Sequence, residues 1–385
     1  MLSCDSWFNI KYPRTEEKYM KVLFITNIPS PYRLKFFEEL GKYCDLDVVF
    51  ERKTSAERDS SWSKYTFENY RGIILKGIPL QKDKTVSVDI LKYLKKRYDI
   101  RIIANPATPV GIISIIYFKI KKCPYYIEGD GAQYNKNNFV KEFIKKKIIG
   151  GATGYFSTSK NLDYYFRAYG ATSEIYRYPF SSIRTCDIQN ITEIDNKKRQ
   201  ARYDLKISSE KIILAIGRFE HIKGFDVLIQ AMKEINNAQC YIIGGKPTEQ
   251  YLKIIKMNKI TNIVFEDFKT PDELASYFLA ADIFVLPTRY DPWGLVINEA
   301  MAYGLPVIST NKCVAALELI SNDENGYVVD ANNVDMLVST MNLLLKNDEL
   351  CKEMQQNNLK KISLYTIEKM VESHVIAFKQ ISECE

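Results

Sequence analysis

Short apolar runs alternate with longer amphipathic segments along most of the chain. The runs in the first half cover residues 21–26, 45–50, 72–77, 99–104, 124–129, 154–159 and 174–179. Helix-like segments lie between them, near residues 33–42, 87–97, 109–121, 138–148 and 160–168. Short β-branched runs separated by helical segments are typical of parallel strands joined by crossover helices. The pattern predicts a Rossmann-like α/β domain over residues 20–180.

A polar, charged stretch at residues 181–207 interrupts the alternation, which then resumes. Strands are predicted at residues 211–218, 238–245, 262–267, 282–288 and 306–310. Helices are predicted near residues 224–235, 248–258, 271–280, 295–303, 333–347, 348–356 and 366–382. We interpret 181–207 as an interdomain connection with a leading helix and 208–365 as a second Rossmann-like domain. Residues 366–385 are predicted to form a helix that packs back toward the first domain.

The predicted fold class is therefore α/β, with two doubly wound domains in tandem. Ligands of such sheets bind at the carboxyl ends of the strands. We expect the two domains to face a central cleft, which would be the substrate site. Residues 1–19 are polar and unperiodic. They are predicted to be an extension ahead of the first domain, or to precede a native start at Met20.

Composition narrows the class of protein. The 385 residues are 46% hydrophobic and 26% charged, which fits a globular chain rather than a disordered one. Eight cysteines are scattered singly and there are two histidines, so no zinc-ligand spacing is present. The apolar run at 110–118 is too short to span a bilayer, and the first twenty residues lack a signal-peptide core. We expect a cytoplasmic protein without a structural metal.

The net charge of +7 is mild and does not indicate a nucleic-acid binder. Basic residues concentrate in the first half, in the segments 91–98, 119–122 and 141–147. Around the last segment, apolar residues recur at helical spacing: Val140, Phe143, Ile144 and Ile148. A basic amphipathic helix of this kind can lie on an anionic membrane surface, although an ordinary solvated helix has the same pattern.

Two carboxylates flank a turn in the stretch "DPWGLVINEAMAYG", residues 291–304. A predicted strand precedes Asp291 and a predicted helix contains Glu299, so the turn lies at a strand's carboxyl end. The start of that helix offers backbone N–H groups and a positive dipole end, which suit an anion. Gly294 lets the backbone approach a ligand closely. Because carboxylates can bind vicinal hydroxyls, the pattern suits a diphosphate flanked by two sugars.

A second βα loop, "GRFEHIKG" at residues 217–224, supplies two cations. Arg218 offers bidentate phosphate contact and Lys223 a point charge. The alternative is that both are surface cations at a strand end. His221, between them, is expected to be a surface residue.

These motifs resemble the donor-binding domain of glycosyltransferase family 4, retaining enzymes of the GT-B fold. The resemblance is strong over residues 211–345 and looser over 20–180. The resemblance rests on the acidic pair, the "GR…KG" element and the segments 273–288, 300–310 and 324–329. The last of these is an "NG" turn. The first domain contributes "NIPSPYRLKFFEEL" (27–40) and "YYIEGDGA" (125–132). The family usually has Glu where Asp291 stands, which shortens the reach here by one methylene.

The resemblance implies a role for each residue of the second domain. Arg218 and Lys223 would neutralise the diphosphate of a UDP- or GDP-sugar donor, and Glu299 would bind the ribose hydroxyls. Asp291 would hold the donor sugar. It would do so together with backbone groups of Trp293, Gly294, Leu295 and Val296. Retention of anomeric configuration, metal-independent transfer and the absence of any cofactor beyond the donor are also implied.

The acceptor side is predicted in the first domain. Glu128 and Asp130 follow a strand and are candidates to orient or deprotonate an acceptor hydroxyl, although "GDG" is also ordinary turn chemistry. Arg33, in the first βα loop, could contact a phosphate or an acidic sugar. The acidic pair Asp45 and Asp47 is expected to face water at a strand edge rather than bind a metal.

Three functions are compatible with these residues. The first is transfer of a sugar to a glycan hydroxyl, with a lipid-linked acceptor as in bacterial capsule or O-antigen assembly. The basic helices would then hold the enzyme on the inner face of the plasma membrane. The second is a nucleotide-sugar-binding subunit of a synthase complex. The third is a nucleotide-sugar epimerase, which needs acid and base groups around the sugar carbon that the acids at 128–130 do not clearly provide.

Overall fold

A computed structural model describes residues 20–53, 66–81, 84–134 and 138–383. They divide into two compact units. The first unit contains the described residues up to Asp130, Tyr134–Phe180 and the chain from Ile367 onward; the second contains Gly131–Gln133 and Ser181–Thr366. Each unit is described by itself below. The predicted extension at residues 1–19 lies outside the described residues.

The described residues of the first unit form nine strands. They are β1 (Lys21–Thr26), β2 (Asp45–Phe50), β3 (Arg71–Ile74), β4 (Ile78–Gln81), β5 (Lys84–Val86), β6 (Ile100–Ile103), β7 (Tyr126–Glu128), β8 (Gly154–Ser157) and β9 (Glu174–Arg177). Its α-helices are α1 (Pro31–Leu40), α2 (Leu91–Leu94), α3 (Pro109–Lys121), α4 (Phe139–Ile149), α5 (Lys160–Ala168) and α14 (Ile367–Glu383).

Seven of these strands form a parallel sheet in the order β3-β2-β1-β6-β7-β8-β9. The direction of winding reverses between β1 and β6, the switch point at which doubly wound sheets bind ligands. Strands β4 and β5 form a separate antiparallel pair, which the sequence analysis did not predict. The C-terminal helix α14 packs against α1 within this unit.

The core of the first unit follows from its apolar strands. Residues 22–26 of β1 are all buried, as expected for a strand covered by helices on both faces. Phe24 packs edge-on against Phe37 of α1, with ring centroids 4.9 Å apart. One expectation is corrected here: Asp47 does not face water. It is buried, accepts a 2.6 Å hydrogen bond from the Tyr98 hydroxyl and pairs with Arg71.

The second unit contains six strands in a parallel sheet. They are β10 (Ile212–Ile216), β11 (Gln239–Ile243), β12 (Ile263–Glu266), β13 (Ile283–Leu286), β14 (Val307–Thr310) and β15 (Gly326–Val329). Its α-helices are α6 (Ile191–Asp204), α7 (Phe225–Ala231), α8 (Glu249–Asn258), α9 (Pro271–Ala280), α10 (Leu295–Ala302), α11 (Val314–Leu319), α12 (Val334–Leu345) and α13 (Asp348–Ile362). The sheet order is β12-β11-β10-β13-β14-β15, with the switch point between β10 and β13.

Two elements of the second unit were absent from the sequence analysis. Helix α11 was not predicted. The "NG" segment at 324–329, taken as a turn, contains the whole of β15. Among the described residues, no helix is both long and apolar enough to span a bilayer.

Candidate functional site

The loops that follow β10 and β13 meet at the switch point of the second unit. Gly224 has a φ of 69°, and a Cβ added there would lie 2.0 Å from the carbonyl oxygen of Pro287. The Thr288 hydroxyl donates a 2.9 Å hydrogen bond to the Ile222 carbonyl. Only glycine permits this approach, which fixes the loop carrying Lys223 against the loop carrying Asp291.

Lys223 and Asp291 form an ion pair in which Nζ lies 2.6 Å from Oδ2. The other carboxylate oxygen, Oδ1, accepts a hydrogen bond from the backbone N–H of Trp293 at 3.3 Å. The two side chains are only 20% and 11% exposed. The carboxylate is therefore fixed at both oxygens, and the ammonium is fixed by the carboxylate. The structure thus brings together two residues that the sequence analysis assigned to one donor site.

Gly294 begins α10 in the left-handed region, with a φ of 99°. A Cβ at Gly294 would lie 2.6 Å from the sulfur of Cys313, whose thiol donates to the Trp293 carbonyl at 2.9 Å. Burial, with help from the Asp291 charge, raises the pKa of Cys313 to about 12, so it remains a thiol. Leu295 and Val296 are half-buried in the first turn, where N–H groups have no intrahelical acceptor.

The indole of Trp293 lies inside the turn. It is buried, and its Nε1–H donates to Asn298 Oδ1 at 2.9 Å. The side chain therefore braces the turn against α10, while the predicted contribution to the site comes from the backbone.

Glu299 is half-buried on α10, and its Oε1 accepts a 3.0 Å hydrogen bond from the Ser182 hydroxyl. Arg218 has a side chain that is 42% exposed, and it pairs with Glu220 at 2.9 Å. His221 is exposed, as expected. The structure places these side chains on the loops and helix of the switch point, and their ligand roles stay predictions.

An ion pair that the sequence did not reveal, between Arg289 and Asp226, supports the loop. Arg289 donates two hydrogen bonds to Asp226, at 2.8 and 2.7 Å, and a third to the His221 carbonyl at 2.6 Å. Burial alone would raise the pKa of Asp226, but Arg289 outweighs it and holds that pKa below its usual value. The available signal was that Arg289 follows the predicted strand 282–288 and lies beside the predicted acidic turn.

The three predicted acceptor-side residues meet in the first unit. Arg33, on the first turn of α1, is buried, and its guanidinium lies 2.5 Å from Glu128 and also pairs with Asp130. Glu128 ends β7 and is fully buried, whereas the Asp130 side chain is 36% exposed. Tyr32 also donates to Asp130, at 3.3 Å. Arg33 thus faces two protein carboxylates, where the sequence analysis had it contact a ligand anion.

A fourth member of this cluster comes from α14. The Nε2 atom of His374 lies 3.1 Å from Glu128 Oε2, and its Nδ1 lies 2.8 Å from the Met370 carbonyl oxygen. His374 is fully buried, and its ring stacks on Phe156 with centroids 5.0 Å apart. The sequence analysis did not consider this histidine. Its position on the apolar face of the last helix was the only signal.

The two carboxylates of the cluster differ in acidity. Burial would raise the pKa of Glu128, but Arg33 and His374 outweigh it and lower that pKa below its usual range. Burial and the nearby Glu128 charge raise the pKa of Asp130, against the opposing charge of Arg33. Glu128 is therefore held between two basic side chains, and Asp130 is the acid of the cluster with exposed surface.

Another buried acid lies at the carboxyl end of β2. Glu51 is 2% exposed, and the Thr108 hydroxyl that caps α3 donates to it. Burial raises the pKa of Glu51 from 4.5 to about 7, although Thr108 and Arg52 act in the other direction. Asn105 accepts a 3.0 Å bond from the backbone of Asn27 at the adjacent switch point.

The family model that the chain matches covers residues of the second unit. Residues 196–361 match the family model described as "Glycosyl transferases group 1". An uncharacterised 41.2 kDa protein of the cps region of Klebsiella pneumoniae is 32% identical over 205 residues, which cover 50% of this chain and 54% of that protein. The chain spans about half the length of the first curated relatives that it matches.

Two longer similarities extend beyond the second unit. The capsular polysaccharide biosynthesis glycosyltransferase CapM of Staphylococcus aureus is 24% identical, over 77% of this chain and 82% of that protein. The structure of HepE from Anabaena in complex with UDP has a TM-score of 0.73 at 15% identity, covering 95% of this chain and 99% of that one. The predicted fold class, two Rossmann-like domains of the GT-B type, is confirmed. The resemblance is confirmed for group 1 glycosyl transferases, and the family 4 subdivision stays a prediction.

Proposed function

We propose, from the group 1 glycosyl transferase match of residues 196–361, that this chain transfers a sugar from a nucleotide-diphosphate donor to a glycan hydroxyl. The transfer retains anomeric configuration and serves bacterial surface polysaccharide biosynthesis. The observation that carries the proposal is the 2.6 Å Lys223–Asp291 pair beside the start of α10, at the switch point of the second unit. The names of CapM and of the HepE–UDP complex support the same reaction class.

The donor diphosphate binds between Lys223, Arg218 and the first turn of α10. Breaking the sugar–phosphate bond builds negative charge on the leaving phosphate, and preorganised cations and N–H groups stabilise that charge. Asp291 holds the Lys223 ammonium in position before the donor arrives, so little reorganisation is needed. In this proposal the cations and the helix end neutralise the diphosphate without a divalent metal.

The flanking sugars of the donor are held by the two carboxylates. Glu299, oriented by the Ser182 hydroxyl, accepts hydrogen bonds from the ribose. Asp291, with the backbone at residues 293–296, contacts the hydroxyls of the donor sugar. Because Asp is one methylene shorter than the Glu usual in family 4, the choice of sugar or the rate of transfer depends on this position.

Asp130 is the acceptor-side group that we assign to the acceptor hydroxyl. Glu128 is enclosed by Arg33 and His374, and it acts through them rather than on substrate. The exposed part of the Asp130 carboxylate can accept a hydrogen bond from a sugar hydroxyl and orient it. The leaving phosphate takes the proton of the acceptor.

A lipid-linked acceptor is supported by the surface of α4. Its apolar side chains lie in solvent, with Phe139 84%, Val140 63% and Phe143 54% exposed. Lysines alternate with them at Lys141, Lys145, Lys146 and Lys147. Apolar residues exposed beside lysines suit the interface of an anionic bilayer. At low salt, anionic vesicles should sediment the protein and neutral vesicles should not; equal recovery from both would remove this part of the proposal.

The donor site is tested by nucleotide binding and turnover. UDP or GDP should raise the melting temperature of the chain, because a ligand that binds only the folded state stabilises it. Glu299→Gln should weaken both that shift and turnover. Asp291→Asn should mainly lower turnover with the sugar donor while the nucleotide still binds.

Glu193→Gln, at an exposed ion pair on α6, is the matched control and should change neither quantity. Full activity in both site variants would show that the donor site lies elsewhere. Conversion of the donor sugar without any acceptor would favour the epimerase.

A further inference from the structure

The contacts of His374 fix the number of protons on its ring. Its Nδ1 faces the Met370 carbonyl oxygen at 2.8 Å, and its Nε2 faces the Glu128 carboxylate at 3.1 Å. A carbonyl oxygen and an ionised carboxylate can only accept hydrogen bonds. Both ring nitrogens therefore need a proton, unless Glu128 itself carries one.

Arg33 decides between these two arrangements. Its guanidinium lies 2.5 Å from the other carboxylate oxygen of Glu128. An arginine remains protonated in proteins, and a cation at this distance favours the ionised carboxylate. The proton between Glu128 and His374 consequently belongs to the histidine.

We infer that His374 is a charged positioning residue of the acceptor side: its buried imidazolium, together with Arg33, offsets the negative charge of Glu128, so that Asp130 is ionised for the acceptor hydroxyl. The inference rests on the proposed function for its consequence, whereas the charge of the ring can be measured without any activity.

The charge balance of the cluster explains this effect. Two cations, Arg33 and His374, face two carboxylates, Glu128 and Asp130. If the charge of His374 is lost, Arg33 is, among the described residues, the one cation beside Glu128 and Asp130. The two carboxylates then bind a proton more tightly. That proton goes to Asp130, because burial and the Glu128 charge already raise its pKa.

The surroundings of His374 contain few other groups that titrate. From α1, Phe36 lies against its ring, with centroids 4.9 Å apart. Phe156 of β8 stacks on one face, and Phe378 of α14 approaches it edge-on. Tyr178, which follows β9, lies 4.6 Å away by ring centroids, and burial raises its pKa well above the usual value, so it stays neutral. Within the part of the chain that the structure describes, the charged and titratable groups that face the ring directly are thus Glu128 and Tyr178, with Arg33, Tyr32 and Asp130 beyond Glu128.

Histidine NMR tests the charge directly, since the chain has two histidines. With ¹⁵N-labelled histidine, one ring should keep both nitrogens protonated near pH 8, where an ordinary imidazole is neutral. His221→Asn should leave that signal in place, and Glu128→Gln should convert it to a neutral ring. A neutral His374 near pH 8 in the unaltered chain would overturn the inference, whatever the protein catalyses.

The second test uses the pH profile of turnover. His374→Gln keeps an N–H that can donate to Glu128 but removes the charge, and His374→Phe removes both. In each variant the acid limb of the pH profile of kcat should shift to higher pH by about one unit, and the KM for the donor should not change.

Phe378→Leu, which removes a ring from the same face of α14 and leaves the charge intact, should not move the limb. An unchanged limb in an active, folded His374→Gln protein would contradict the positioning role. If the chain has no transferase activity, the proposed function fails while the NMR result still decides the charge.

Discussion

Each unit holds a lysine or arginine paired with a carboxylate, and the two pairs differ in their environment. In the second unit, Lys223 and Asp291 lie at a loop edge with 20% and 11% of their side chains exposed. In the first unit, Arg33 and Glu128 are 3% and 0% exposed and lie among aromatic rings. The Lys223–Asp291 pair keeps part of its surface in solvent, whereas the Arg33–Glu128 pair is closed.

This difference separates two uses of ion pairs. A pair at a loop edge that keeps part of its surface in solvent leaves its residues within reach of a substrate. A buried pair has lost its hydration, and removing one partner leaves an uncompensated charge. We therefore expect substitutions at the Lys223–Asp291 pair to change turnover, and substitutions at the Arg33–Glu128 pair to change stability.

The largest effect is expected for Glu128→Gln. Arg33 would then have Asp130 as its remaining carboxylate in a buried site and His374 would lose its acidic partner, which costs about 3 to 5 kcal/mol. Denaturant unfolding of the full chain measures this loss. Glu220→Gln, at the exposed pair with Arg218, should cost less than about 1 kcal/mol. Equal costs for the two variants would break the distinction between a buried and an exposed ion pair.

The effect of Glu51→Gln on stability should depend on pH, in a direction set by the pKa of Glu51. The folded carboxyl binds its proton more tightly than the unfolded one, so its contribution to stability is lost as pH rises from 4.5 through about 7. The variant, which resembles the protonated acid, should lie within about 1 kcal/mol of the original near pH 5 and be up to about 3 kcal/mol more stable near pH 8. Unfolding curves at both pH values measure this, and Glu193→Gln should show no such difference.

Gly224→Ala tests the contact between the two donor-side loops. An alanine at φ 69° is strained, and its Cβ would collide with the Pro287 carbonyl, so we expect a loss of about 2 kcal/mol or more and weaker nucleotide binding. Gly170→Ala is the matched control, because its φ is 89° but no atom lies within 4 Å of the added Cβ. Equal losses in both variants would mean that only backbone strain matters.

The smallest effect is expected for Arg289→Lys. The lysine keeps the positive charge near Asp226 but cannot make the paired hydrogen bonds, which should cost about 1 kcal/mol. Nucleotide affinity should fall a few-fold, because the loop of Lys223 is less firmly held. Calorimetric titration with UDP or GDP measures the change; an unaltered affinity would remove Arg289 from the support of the loop.

Residues in consecutive elements could be assigned to a site from the sequence. Residues that pair across long stretches of the chain could not. The turn at Asp291 was predictable because strand, turn and helix are consecutive, and the structure places α10 at Leu295–Ala302, within the predicted 295–303. The loop that carries Lys223 was predictable for the same reason, because it directly follows a predicted strand. The ion pair that supports this loop could not be predicted. Arg289 and Asp226 are 63 positions apart, and no local pattern links them.

The closed cluster was predictable only in part. Glu128, Asp130 and Arg33 were found as chemistry at strand and loop ends, but their mutual contact depends on packing between α1 and β7. His374 is 246 positions from Glu128 and belongs to a helix whose other buried residues are apolar. Asp47 was misjudged for the same reason, since its partners Tyr98 and Arg71 come from other segments.

The membership of α14 in the first unit has a consequence for the order of synthesis. A nascent chain has released the strands of this unit from the ribosome long before residue 374 is made, so Glu128 must wait for its second cation while the whole second unit emerges. The first unit can therefore finish assembling only after the second unit has been synthesised.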